Sequence, residues 1–200
     1  MSYTNNFLSE MVDILDELDS NKIDEIIKEI LKIRENNGRL FFLGVGGSAA
    51  NASHAVNDFR KIANIECYTP IDNISELTAR TNDDGWQSVF VEWLKTSKLN
   101  KNDAIFVLSV GGGNKEKNVS INLIKAIDYS KKVGAKVLSI VGKSDGYTYQ
   151  NSDVCILIPS VNQKVITPQA ESFQSVLLHL IVSHPILQQN EMKWESMITK

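Results

Sequence analysis

Four short apolar runs, each delivering the chain into a turn, set the strongest limit on the fold. They are Leu40-Phe41-Phe42-Leu43, Ala104-Ile105-Phe106-Val107-Leu108, Val137-Leu138-Ser139-Ile140-Val141 and Val154-Cys155-Ile156-Leu157-Ile158. None alternates apolar with polar positions, which suits strands covered on both faces. Helical periodicities lie between them, the clearest from Ile121 to Lys132, stopping at Val133-Gly134 with lysines in its last turn. Buried strands alternating with helices predict an α/β fold, a parallel sheet held between two helical layers. A shorter strand near Glu66 to Tyr68 completes an expected five, and the stretch from Glu171 to Leu187 reads as a helix up to Pro185.

Two amphipathic stretches precede the first strand. Phe7, Met11, Ile14, Leu15 and Leu18 form one stripe, and Ile23, Ile26, Ile27, Ile30 and Ile33 form another. Such stripes must cover something, and a helical hairpin at this place is expected to pack on a partner subunit. The chain therefore reads as one domain over 1–200, with oligomerisation helices in 1–36 and an α/β core in 38–187. No repeat, low-complexity tract or linker divides it.

Composition narrows the function. Of 200 residues, 42% are hydrophobic and 22% charged, enough for one well-buried core. A formal charge of -3, with no run of Lys or Arg, leaves no electrostatic footprint for nucleic acid. No stretch approaches the roughly 18 apolar residues of a membrane span, and the start lacks a signal pattern. Cys67 and Cys155 stand alone in strand-like segments, as reduced thiols would. These features predict a cytoplasmic protein.

In open parallel sheets, ligands sit beyond the carboxyl ends of the strands, where strand order reverses. Two glycine clusters fall at such ends: Gly44-Val45-Gly46-Gly47-Ser48 and Ser109-Val110-Gly111-Gly112-Gly113-Asn114. Without Cβ atoms, backbone N–H groups can approach a ligand closely, and a helix opening there favours an anion. Gly44-x-Gly46-x-x-Ala49 with Glu66 loosely matches a dinucleotide fingerprint, which leaves the second cluster unexplained. Gly142-Lys143-Ser144 resembles the end of a P-loop, but Val137, five residues earlier, lies in a strand.

Only three histidines occur. His54 and Asp58, at i and i+4 on the helix after Ser48, share one face and can act as an acid/base pair, as two metal ligands, or as a surface ion pair. Glu171 and His179 are eight residues apart on the last helix, about 12 Å along its axis and some 80° around it. His179 lies among apolar residues, where a histidine satisfied by a backbone carbonyl is the alternative to a functional role. His184, before Pro185, reads as a helix cap.

With the run from Gly44 through Asn51 to His54, then Thr81-Asn82-Asp83-Asp84-Gly85, the turn after Leu108, and Thr167-Pro168 through Glu171 to His179, the chain resembles the sugar isomerase (SIS) domain family, and within it the phosphoheptose isomerases. The resemblance implies a three-layer flavodoxin-like sheet, a homotetramer with active sites between subunits, and interconversion of sedoheptulose 7-phosphate with a mannoheptose 7-phosphate. It implies that Ser48 and the turn of Ser109, Gly111, Gly112, Gly113 and Asn114 hold phosphate, while Gly46, Gly47, Asn51, Asn82, Asp83 and Glu171 contact substrate. Asp58 matches the family's glutamate base and His179 its acid/base histidine. His54, Asp58, Glu171 and His179 match the positions that hold zinc in some members. The chain departs from the family in its phosphate turn, which lacks three hydroxyls; the glycine N–H groups, with Lys115 or Lys117, are expected to compensate. It also departs at Asp58, one methylene shorter than glutamate. A non-catalytic phosphosugar-binding module, serving as a sensor or protein partner, is the alternative.

Overall fold

A computed structural model describes residues 2–198. Its five strands, β1 (Leu40–Leu43), β2 (Cys67–Tyr68), β3 (Ala104–Ser109), β4 (Lys136–Val141) and β5 (Val154–Leu157), form one parallel sheet in the order β2-β1-β3-β4-β5. Leu40 pairs with Cys67 on one side and with Ala104 on the other. The chain leaves β1 in one direction, to β2, and returns on the opposite side, to β3. The reversal point therefore lies between β1 and β3, and both glycine turns stand at its carboxyl edge. The parallel sheet expected from the strand pattern, and the flavodoxin-like form implied by the resemblance, are those observed.

Successive side chains of a strand point to opposite faces, so each strand supplies two cores. Leu40, Phe42, Phe106, Leu108 and Ile140 enter a cluster with helices α2 (Ser20–Glu35), α3 (Gly47–Lys61) and α8 (Ile166–Ser183). Phe41, Leu43, Ile105, Val107 and Val137 enter the other, against α5 (Val89–Thr96) and α6 (Ile121–Val133). Two further helices, α4 (Ile74–Asp84) and α7 (Tyr147–Asn151), complete that side.

The N-terminal hairpin divides its work differently from the expectation. In α2, Ile23, Ile26, Ile27, Ile30 and Ile33 are all buried in this chain's own core, so that stripe needs no partner. Fully burying each isoleucine contributes about 2 kcal/mol. Arg34 fastens the end of α2, donating to the carbonyls of Ala63, Ile186 and Leu187. Helix α1 (Tyr3–Glu17) is the opposite case: only Ile14 is buried, while Leu8, Val12 and Leu15 are more than half exposed. At the other end of the sheet, Asp103 is buried and accepts hydrogen bonds from Arg39 and Asn100. Its hydrogen bond raises the Arg39 pKa, so the pair closes the amino edge as an ionic clasp.

Candidate active site

The first turn is glycine-dependent for two distinct reasons. A Cβ on Gly44 would overlap the Ser48 carbonyl oxygen, and a Cβ on Gly47 would overlap the Glu171 carboxylate. Gly46 has φ +64 and caps α3, its carbonyl receiving the N–H groups of Ala49 and Ala50 at 3.0 and 3.2 Å. Ser48 is buried beneath. A helix starts with N–H groups that lack helical acceptors and carries a partial positive charge there. Glu171 brings its carboxylate to that end, so the first turn already holds one negative charge.

The second turn is oriented from below. Gly112 and Gly113 have φ +71 and +82. The Gly112 carbonyl accepts from both the N–H and the hydroxyl of Thr148, each at 2.8 Å, and the Gly113 carbonyl accepts from the Tyr147 N–H at 2.9 Å. The Val110 carbonyl accepts from the Gly142 N–H at 3.0 Å. Ser109 is buried, and its hydroxyl receives the Gly112 N–H at 3.0 Å. Three carbonyl oxygens, the groups that would repel an anion, are thus turned toward Gly142 and the first residues of α7. Gly111 is exposed, with open space where a Cβ would stand. Asn114 then opens a small antiparallel bridge to Val119.

Farther along α3, three side chains converge. His54 Nε2 lies 3.2 Å from Asp58 Oδ2, and His179 Nε2 lies 3.4 Å from the same oxygen. The two Nε2 atoms are 3.1 Å apart. The other carboxylate oxygen of Asp58 accepts from Asn57 Nδ2 at 2.9 Å. Both imidazoles are about half exposed, whereas the Asp58 side chain is 14% exposed. His179 is therefore not a core histidine satisfied by a carbonyl; α8 turns it outward toward α3.

This group fits a metal. Tetrahedral zinc with N and O ligands at 2.0–2.2 Å places those ligand atoms about 3.3–3.6 Å apart, close to the three separations found. Among the described residues, His54, Asp58 and His179 form the metal-competent group. Glu171, two helical turns before His179, is at Gly47 instead, in keeping with the axial and angular offset of the two residues on one helix. A cavity of about 410 Å³ opens beside the group, bounded beyond it by Lys61, Met192, Lys193 and Trp194.

Other anticipated residues sit elsewhere. Asn51 donates its amide to the Glu171 carbonyl at 2.8 Å and to Gln174 Oε1 at 3.2 Å, binding α3 to α8. Asn82 and Asp83 are exposed near the end of α4 and bonded to each other at 2.8 Å. Lys115 points away from the turn: its ammonium lies 4.3 Å from the centre of the Tyr147 ring and 3.2 Å from the Tyr147 hydroxyl, which itself donates to Asp128. Lys117 remains exposed. His184 caps α8, and its Nδ1 accepts from the Ile186 N–H at 3.3 Å. Neither cysteine forms a disulfide, and burial pushes the Cys155 thiol up to about 11 and Cys67 higher still. The roles of Tyr147, Thr148 and the 190–198 segment were not legible, because nothing local marks a residue that acts on a distant turn.

Comparison with known proteins agrees with this fold. Phosphoheptose isomerase of Helicobacter pylori strain Shi470 is 27% identical over 157 residues, covering 76% of each chain. The lincomycin biosynthesis protein LmbN of Streptomyces lincolnensis is 32% identical over 159 residues, covering 74% of this chain and 54% of that protein. The solved structure of a phosphoheptose isomerase from Francisella tularensis superposes with TM-score 0.79 at 19% identity, covering 94% of this chain and 98% of that one, a likeness of fold. Residues 3–142 match the sequence profile of the SIS domain, and the chain belongs to that family.

Proposed function

We propose that the protein is a phosphosugar isomerase that interconverts sedoheptulose 7-phosphate and a mannoheptose 7-phosphate. The convergence of His54, Asp58 and His179 on one point carries this reading, because aldose–ketose exchange needs acid/base or metal-held groups there and ligand binding alone does not. The phosphate is assigned to the Ser109–Asn114 turn, whose carbonyls are turned away and whose glycines admit close approach. The first turn, charged already by Glu171, suits sugar hydroxyls, which can donate to that carboxylate.

In aldose–ketose exchange, a proton leaves the carbon beside the carbonyl and returns to the former carbonyl carbon. An enediolate lies between the two. Asp58 is the residue assigned to take that proton, through Oδ1 where Oδ2 is given to an ion, and His179, whose Nε2 lies 3.4 Å from Oδ2, faces the neighbouring oxygens. A divalent ion, zinc by its donor set, would be held by His54, Asp58 and His179 and would supply a Lewis acid to polarise those oxygens. Glu171 enters that set only through a change of side-chain position. Asn51 orients α8 on α3, and Asn82 and Asp83, exposed at the end of α4, would contact substrate.

A homotetramer with sites between subunits is part of this proposal. Leu8, Val12 and Leu15 on α1, and Val176 and Leu180 flanking His179 on α8, are exposed apolar positions that an interface would cover. No helix among the described residues is long and apolar enough to cross a membrane, which accords with a cytoplasmic place of action. The test is to incubate the protein with sedoheptulose 7-phosphate, with and without chelator, while following the aldose and measuring bound zinc. Aldose formation lost with the metal is expected; no aldose from the zinc-loaded protein overturns the assignment.

A further inference from the structure

The cavity beside the His54–Asp58–His179 group has a wall that the isomerase reading does not explain. That wall is the 190–195 segment, anchored where α3 ends. Gln189 and Asn190 both donate their N–H groups to the Ile62 carbonyl, at 2.9 and 3.0 Å, and the Asn190 amide donates to the Lys61 carbonyl at 2.9 Å. Met192 packs on the core beyond this anchor. The segment is thereby held against the reacting end of the site. It presents Lys193 and Trp194 to the cavity, and the Trp194 side is 75% exposed.

An indole left in water beside polar, metal-competent side chains has the composition of a sugar-contacting surface. Its apolar face suits the C–H face of a carbohydrate chain, and its N–H can donate to a hydroxyl. Lys61 and Lys193 bring two cationic groups, and Glu195 one carboxylate, to a cavity in which negative charge develops on enediolate oxygens. We propose that the C-terminal segment is part of the substrate site, with Trp194 packing on the sugar chain and Lys193 offering its ammonium to the sugar oxygens. This rests on the isomerase reading and adds to it the residues that select the non-phosphate part of the substrate.

The test uses full-length protein loaded with zinc and carrying Trp194→Ala, Trp194→Phe or Lys193→Ala. Sedoheptulose 7-phosphate turnover, tryptophan fluorescence during titration with that sugar phosphate, zinc content and mass by light scattering are measured together. Expected are a KM raised about 10-fold by Trp194→Ala, partial rescue by Trp194→Phe, and loss of the sugar-induced fluorescence change in both. Zinc content and assembly should be unchanged, and KM should rise several-fold in Lys193→Ala. Wild-type turnover with unaltered KM and fluorescence response in the variants overturns the proposal while leaving the isomerase reading standing. A KM defect that tracks loss of assembly also overturns it, assigning Trp194 to a subunit contact. Absence of both turnover and binding in the wild type removes the isomerase reading and this one together.

Discussion

The two ends of α3 solve different problems with different materials. At its start, Gly44, Gly46 and Gly47 work by lacking side chains, and the neighbouring Gly112–Gly113 turn is held by Tyr147 and Thr148 from beneath. Near its far end, His54 and Asp58 meet His179 across a gap of 3.1 to 3.4 Å, half open to solvent. The first region is backbone, fixed before any ligand arrives. The second is side chain, able to take a metal or a proton. On the proposed function, binding and reaction should be separable by mutation, and that separation is open to attack.

The strongest challenge is Asp58→Asn, which keeps the shape but removes the proposed base and a negative charge from the metal-competent group. We expect kcat to fall about 1,000-fold, within the range of general acid–base contributions, with melting temperature unchanged; near-normal turnover would erase the distinction. Next is Gly112→Ala, where φ +71 disfavours any Cβ and the added atom would stand 3.3 Å from Gly146 Cα. The conformational cost is about 1–2 kcal/mol, and KM with inhibition by inorganic phosphate should weaken about 10-fold while kcat holds. A drop in kcat alone would show that the turn takes part in the chemistry. Asn51→Ala should cost about 1–3 kcal/mol of stability by leaving the buried Gln174 amide without its partner, read from urea unfolding. The smallest effect is expected of the thiols: with burial raising both pKa values, alkylation at neutral pH should be slow until the protein unfolds.

The sequence made the backbone region easier to read than the side-chain region. Apolar runs ending in glycine encode strand, turn and reversal point within a few residues, so β1, β3 and both turns were legible. His54 with Asp58 was legible for the same reason, since i and i+4 share a helix face. Which way α8 rotates against α3 depends on Phe173, Leu177 and Ile181 filling the core, and no local rule reports that. Glu171 and His179 are therefore readable as candidates but not as partners of different neighbours. The same limit hides Lys115, drawn off by Tyr147 and Asp128, and it hides the turn of the Ile23–Ile33 stripe toward the chain's own sheet.

The grip of Tyr147 and Thr148 on the Gly112 and Gly113 carbonyls has a consequence for how such a protein can diversify. Where recognition of an anion is vested in peptide groups, swapping amino acids there can spoil the contact but can hardly retune it. Preference for one sugar over another must then be written at the opposite mouth of the groove, where each position bears an exchangeable group.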